Sequence, residues 1–411
     1  LNSINGQAFV RGRRVHHSSF VDGTHDENAE NGVFEDTVGQ AGAHYVNESC
    51  AGCHVRNGRA EVAEDGENLD KWVFKIGDAT GQPDANRGRV LQPNNTGINT
   101  DQGEGTVSIA SWTELESGLR TPNYSFSSGE PERFSGRIAP NIYGVGLLEG
   151  VAEEDILSRE DENDSDGDGI SGRASRVTDP VTGDVRLGRF GYKAGAYSVA
   201  NQVARALNTD MGVMSSMLPE PDCGSEQDVC GDSGSEISQD NFDDLSKYIS
   251  LLGVRPQRNY DDLDVLSGQE LFEDVGCTSC HVPTLETSQF TVFSELRSQT
   301  IHPYTDMLLH DMGEGLADSL GEGNATGSEW RTAPLWGVGL SACVTGGVIN
   351  PVGGQGNEVC NPSANFLHDG RARTIDEAIR WHGGEGQAAN DAYQALSDGD
   401  QGDLVRFVES L

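Results

Sequence analysis

Nowhere in the 411 positions is there a run of eighteen apolar residues. That excludes a membrane-spanning helix and makes a soluble chain the expectation. Positive charge is scarce: 28 Lys and Arg against 66 Asp and Glu leave a formal net charge of −38. Such a field repels phosphate backbones and anionic lipid headgroups, so neither nucleic acid nor a membrane surface is expected as a partner. An acidic surface of this kind most simply serves solubility, above all where salt screens the repulsion. The opening Leu1-Asn2-Ser3 has no basic, apolar, small-residue export signal, so such a signal was either removed or never there. The length suits two or three domains. Apolar residues make up 35%, close to half with the 53 glycines added, which is ordinary for globular chains. The glycine excess predicts long connections between short elements.

Eight cysteines are present, and four lie in two Cys-x-x-Cys-His sequences, Cys50-Ala-Gly-Cys53-His54 and Cys277-Thr-Ser-Cys280-His281. Composition alone would produce roughly 0.004 such matches, so two are not accidental. Thiols at this spacing share one helical turn and reach the two vinyl groups of a haem edge. The next histidine then aims its imidazole at the iron. Zinc does not require the histidine in both copies, and a redox dithiol needs only one pair. The expected cofactors are therefore two covalent c-type haems, with His54 and His281 as iron ligands. The other cysteines form the sequence-local pairs Cys223/Cys230 and Cys343/Cys360. Haem is attached outside the cytoplasm, where disulfides persist, so pairing and a periplasmic or extracellular location are expected, with free thiols the alternative.

Three segments recur in order. Gly42-Ala-His-Tyr45-Val46 resembles Gly268-Gln-Glu-Leu271-Phe272. Arg137-Ile-Ala-Pro140 with Tyr143-Gly-Val-Gly-Leu147 resembles Arg331-Thr-Ala-Pro334 with Trp336-Gly-Val-Gly-Leu340. Asp244-Leu245 with Tyr248-Ile249 and Leu252 resembles Asp403-Leu404 with Phe407-Val408 and Leu411. The last pair has the apolar spacing of one helix face. The expectation is a mainly α fold of tandem class I cytochrome c-like domains with long loops. Its parts are an extension over 1–41, a first haem domain over 42–255 with an insertion around 148–187, and a second over 256–411. The boundary is placed at Arg255-Pro256-Gln-Arg258-Asn, which interrupts helical periodicity.

Within the insertion, Asp164-Ser-Asp166-Gly-Asp168-Gly169-Ile170 matches the first half of a calcium loop, with alternate carboxylates and a glycine for the turn. Position twelve is Ser175 instead of Glu, so a shorter loop using Asp164, Asp166, Asp168 and the Ile170 carbonyl is expected, the alternative being a solvated acidic turn.

With these residues in view, the chain resembles the bacterial di-haem oxidoreductases, relatives of the di-haem cytochrome c peroxidases and also labelled thiol oxidoreductases. The resemblance rests on residues 50–59 (CAGCHVRNGR), 137–149, 164–173, 187–194 (LGRFGYKA), 308–318 (LLHDMGEGLAD), 329–340 (EWRTAPLWGVGL) and 366–384. It implies that one haem keeps an open face for peroxide while the other is six-coordinate and relays electrons. For the second haem it implies His382 as the distal ligand, with Met312 and His310 as alternatives and His368 as a structural or propionate partner. For the first it implies Tyr192 between the haems and Asp210 as a distal acid, with Glu149 its rival. Tyr192 as mere packing and Asp210 as a turn cap remain open. His16, His17, His25 and His44 could each close the first haem's face, and the sequence does not choose among them. Thr332 and Pro334 match a segment that holds an inter-haem calcium in the relatives.

The function so implied is an exported di-haem peroxidase-like oxidoreductase, supplied with electrons by a small cytochrome or cupredoxin and acting on hydrogen peroxide or a related oxidant. Peroxidase relatives are often homodimers. The alternative is a di-haem electron-transfer module with both irons six-coordinate. The thiol-oxidoreductase label finds no support, because thioethers would consume both Cys-x-x-Cys pairs.

Overall fold

The computed structural model describes residues 1–411 apart from 62, 97–102, 228–229, 232, 347, 350–358 and 361–364. Its helices are α1 (Ser3–His16), α2 (Cys50–Cys53), α3 (Val145–Glu149), α4 (Glu153–Leu157), α5 (Val199–Asp210), α6 (Gln239–Ser250), α7 (Leu263–Asp274), α8 (Ser341–Gly346), α9 (Ile375–Arg380), α10 (Gln387–Gln394) and α11 (Asp398–Ser410). Many begin where a short polar side chain takes up a free backbone N–H of the first turn. Asn2, Ser49, Ser198, Ser238, Asp262, Thr374 and Ser397 cap in this way. No helix among the described residues is long and apolar enough to cross a membrane.

Two helix crossings frame the structure. α1 packs on α6, and α7 packs on α11. Both crossings depend on a glycine: a Cβ on Gly12 would overlap the Asp244 carbonyl, and one on Gly268 the Asp403 carbonyl. A second pair follows the same rule, with Gly146 of α3 against the Ser250 carbonyl and Gly339 against the Glu409 carbonyl. The halves meet through the recurring Arg-x-Ala-Pro segments, each pressing its aromatic on the other's glycine. A Cβ on Gly144 would lie 2.6 Å from the Trp336 ring, and one on Gly337 2.5 Å from the Tyr143 hydroxyl.

The repeat is therefore present, but its first member differs from the expected one. Segment 42–46 is not a helix: His44–Tyr45 pairs as a short strand with Asn94–Asn95. Ser3–His16 takes the helical place, with Gly12 in the role of Gly268.

The expected mainly α, tandem class I cytochrome c-like architecture does not form. The chain is 30% helix and 16% strand, an α/β mix, and the described strands make seven two-stranded antiparallel sheets. The largest two lie before the Arg-x-Ala-Pro segment, pairing Trp72–Gly77 with Arg133–Ile138 and Val107–Glu114 with Arg120–Phe126. Alternation explains them: Val107 and Ile109 point inward opposite Phe126 and Tyr124. Phe74, Tyr124, Phe126 and Phe134 then pack edge to face. This forms a core separate from the one under α1, α3, α5 and α6 and from the one between α7 and α11.

The crossings give a sharp expectation. Gly268→Ala should destabilise by about 1–3 kcal/mol through overpacking. Gly6→Ala, in α1 and with nothing within 4 Å of the new methyl, should stabilise by up to about 1 kcal/mol. Thermal melts of both variants check the pair, and equal melts would contradict the crossing geometry.

Candidate functional site

Each Cys-x-x-Cys-His sequence forms a tight turn. Ser49 caps α2 by accepting the Gly52 N–H, which places Cys50, Cys53 and His54 around one turn. Cys277–Ser279 forms a 3-10 turn behind Gly276, a left-handed residue at φ +88°. All four thiols are unpaired. Burial pushes those of Cys50 and Cys277 up to about 12, and that of Cys53 higher still.

The histidines share one arrangement. His54 Nδ1 donates to the Pro140 carbonyl at 2.8 Å, His281 Nδ1 to the Tyr304 carbonyl at 2.9 Å, and His382 Nδ1 to the Ala378 carbonyl at 2.8 Å. A carbonyl only accepts, so the proton sits on Nδ1 and the Nε2 lone pair remains for a metal. Burial lowers the pKa of all three, that of His281 to about 4, and keeps them neutral. His281 and His382 face each other with ring centres 6.4 Å apart. Two imidazoles on one ion, with metal–nitrogen bonds of about 2 Å, stand about 6.3 Å apart, so this gap fits a six-coordinate iron.

In and beside the Arg137–Pro140 segment, whose Pro140 carbonyl holds His54, several polar atoms are orphaned. Arg59 Nε, Arg137 Nη2, Asn141 Oδ1 and Tyr143 Oη are buried without a partner among the described residues. Such groups are costly unless something polar meets them. Haem carboxylates have the chemistry to accept from the arginines and the tyrosine.

The alternative ligands lie close to the second centre, with His310 Nδ1 3.7 Å from the Cys280 thiol. His310 uses both nitrogens, Nε2 to Asp306 at 2.9 Å and Nδ1 to Glu385 at 2.7 Å. Burial alone would lower its pKa, but Asp306, Cys280 and Glu385 bond to the ring and raise it to about 12. His368 stacks on Trp330 at 3.9 Å and bonds to Asp318. Met312 and His382 both flank Gly386.

A second repeat, not recognised in the sequence, leads to each centre. Phe190 bridges to Ala196 and Phe366 to Ala372. Left-handed residues recur at Gly191 and Leu367, and again at Ala194 and Gly370. Ser198 caps α5, and Thr374 caps α9. Every pair is separated by the same 176 positions, and the same step takes His382 to Ala206. Where the second unit places the His382 imidazole, the first places a methyl group.

Asp210 lies one turn beyond Ala206 on the same helix face. Burial pushes it up to about 6 against the pull of the Thr209 hydroxyl, Lys75 and Arg205. Glu149 instead accepts the Val199 N–H at the start of α5, 2.8 Å away, and burial raises its pKa too. The helix rise puts Val199 and Asp210 about 16 Å apart, so these acids serve opposite ends of α5. Tyr192 donates to the Ile138 carbonyl and meets the Trp330 ring edge-on at 6.3 Å. Trp330 escaped the sequence reading.

Of the four histidine candidates, His16 is fully buried and four residues past Gly12, where the second unit puts Phe272 four past Gly268. Phe272 packs beside His281, so that position flanks an attachment histidine. His17 is tied to the Arg13 carbonyl and stacks on His25. His44 lies against the end of α5, where Gly42 and Val46 donate to Met211 and Asp210.

The carboxylates of Asp164, Asp166 and Asp168 converge within 4.8 Å of one another. Each also caps a nearby backbone N–H of the loop, Ile170 included. The Thr332 carbonyl, by contrast, already accepts from Thr305 Oγ1 and Arg331 Nη1. Cys223 is bonded to Cys230. Cys343 is in a disulfide, and the side chain of Cys360 lies outside the described residues.

The paired Cys-x-x-Cys-His turns and anchored imidazoles have the donors that two haem centres would use. The family described as "Di-haem oxidoreductase, putative peroxidase" matches residues 129–411, and the chain belongs to this di-haem oxidoreductase family. The matched region includes Cys277, His281 and His382 and begins after Cys50–Cys53. No curated protein matches the chain. A structure of Kuenenia stuttgartiensis hydrazine synthase, pressurised with 20 bar xenon, is similar at 18% identity and a TM-score of 0.27. That alignment spans 53% of this chain and 64% of the other.

His382→Met should exchange a nitrogen ligand for a thioether and raise the potential of one haem only. Paramagnetic resonance and a redox titration would read the change, and an unaltered spectrum would remove His382 from the iron.

Proposed function

We propose that the chain is an exported c-type di-haem peroxidase, with peroxide reduced at the centre held by Cys50, Cys53 and His54. Electrons would enter through the centre held by Cys277, Cys280, His281 and His382, from a small cytochrome or cupredoxin. The observation that carries this reading is the pairing of Ala206 with His382: the His281 and His382 rings lie 6.4 Å apart, and the position equivalent to His382 in the first unit has no donor atom. The bound haems would supply electron storage and, at an iron with a free position, binding of an oxidant.

Asp210 does the proton work in this reading. Peroxide reduction takes two electrons and two protons and releases two waters. A carboxyl with a pKa of about 6 can take the proton from one oxygen and return it to the other near neutrality. The carboxylate is the form that accepts, so turnover should rise as pH passes upward through about 6. Asp210→Asn should erase that limb and slow turnover by roughly 10²–10⁴-fold. In the half-reduced protein, peroxide should change the spectrum of one haem. A fully low-spin protein in every redox state would overturn the reading.

A second reading draws on His44. Its place at the end of α5 favours a pure electron-transfer module with both irons six-coordinate. If His44→Ala converts a low-spin centre to high spin, the module is right for the resting protein.

Export is supported by the Cys223–Cys230 pairing, since disulfides are favoured in oxidising compartments. For the Asp164, Asp166 and Asp168 loop we propose calcium. Calcium at about 100 times its dissociation constant should stabilise the protein by about 2.7 kcal/mol. Asp166→Asn with Asp168→Asn should abolish the calcium-dependent rise in melting temperature.

A further inference from the structure

Lys193 is fully buried, and among the described residues no carboxylate comes within ion-pair distance of its ammonium. Its Nζ instead donates to three backbone carbonyls, Thr326 at 2.9 Å, Gly327 at 2.9 Å and Glu329 at 2.8 Å. The fourth side is the face of Trp330, whose ring centre is 3.5 Å away. Burial and nearby Arg137 push the group down to about 7, while Asp318, Glu322 and Glu329 pull it up. Three acceptors at bonding distance need three N–H bonds, which an ammonium has and a neutral amine lacks. The site is a cation cage filled by the protein's own chain.

What the cage joins gives it meaning. Lys193 sits in the turn that precedes α5, next to Tyr192. The carbonyls belong to the segment that carries Trp330 into the other half. Trp330 meets Tyr192 edge-on at 6.3 Å and stacks on His368 at 3.9 Å and 17°. Tyr192 and His368 are themselves 6.5 Å apart. By the 176-residue repeat they are counterparts, each in the turn that starts the helix leading to its own centre. Their rings form one continuous π contact across the junction of the halves. The indole N–H is spent on the Leu316 carbonyl at 3.0 Å, which fixes the ring plane but does not press it on Tyr192. The ammonium over its face does so, because a cation is attracted to the ring quadrupole most strongly where water is excluded.

We propose that Lys193 is a positioning residue for electron passage between the halves, clamping the Trp330 segment onto the Tyr192 turn so that Tyr192, Trp330 and His368 stay in ring contact. The inference rests on the reading that electrons cross between the two centres, but not on peroxide being the oxidant.

The test uses the full protein with both haems in place. One electron is delivered by pulse radiolysis, and its redistribution between the haems is followed at matched driving force. Lys193→Met should slow that step by roughly tenfold, equivalent to about 1.4 kcal/mol. Lys193→Ala empties the cage, and methylammonium should then restore the rate saturably. Tetramethylammonium, with the same charge and no N–H, should not. Should the Met variant fail to fold, Lys193→Gln keeps donors without the charge and should still be slowed.

An unchanged rate in a folded Met or Gln variant overturns the proposal. So does rescue by both cations alike, which would make the effect one of charge alone. If the unaltered protein moves electrons between its haems but does not reduce peroxide, the peroxidase reading fails and this one stands.

Discussion

A neutral imidazole whose Nδ1 proton is held by a backbone carbonyl is the constraint on which the rest of this structure depends. His54, His281 and His382 all meet it, through Pro140, Tyr304 and Ala378. The carbonyl sets the tautomer, and burial removes the positive charge that would otherwise block ligation. The cost is architectural. Two of those carbonyls, Pro140 and Tyr304, must be delivered by chain far from the histidines, which demands connections that double back over the site. The glycine-rich length between the attachment turns and the closing helices supplies them.

The scaffold is doubled, and the chemistry is not. Gly12 and Gly268 permit the same helix crossing, and Tyr143 and Trp336 exchange places against Gly337 and Gly144. On that near-symmetric frame single residues break the equivalence: His382 answers to Ala206, His368 to Tyr192, Asp369 to Lys193, and Phe272 to His16. Asymmetry of this kind is cheap, because backbone geometry is retained while donor atoms are added or removed. It allows two centres in one chain to take different tasks without two different folds.

The charge distribution has a second inversion. A chain of net charge −38 gathers cations in its interior. Glu322 accepts Lys75, Arg137 and Arg205 together and is held well below the usual carboxylate range despite its burial. Lys193 and Arg331 rely on carbonyls instead. Buried charge persists only when paired or hydrogen-bonded: the three cations on Glu322 are paired, and Lys193 has all three N–H bonds used. The acidic exterior and the buried cations are therefore separate features, one facing water and the other the interior.

Chemistry written in contiguous residues is legible in the amino-acid order itself. The two Cys-x-x-Cys-His turns, the closing helices and the alternating aspartates all depend on neighbours within a few positions, where local geometry decides. Helical content is overestimated from sequence because the strands around Val107 and Tyr124 signal by alternation inside glycine-rich stretches that resemble loops. The true counterpart of α7 is hidden because one shared glycine and an apolar face are a weak match. The common spacing of Phe190, Ala196 and Ser198 with Phe366, Ala372 and Thr374 is present in the letters, yet only backbone conformation gives it meaning. Sequence alone determined the two Cys-x-x-Cys-His turns, since they are contiguous residues at a fixed spacing. Tertiary structure alone decided which imidazole faces which, that Asp210 and Glu149 stand at opposite ends of α5, and that Trp330 bridges Tyr192 and His368. Those are distances between residues far apart in the chain, and they are set by packing that no local pattern encodes.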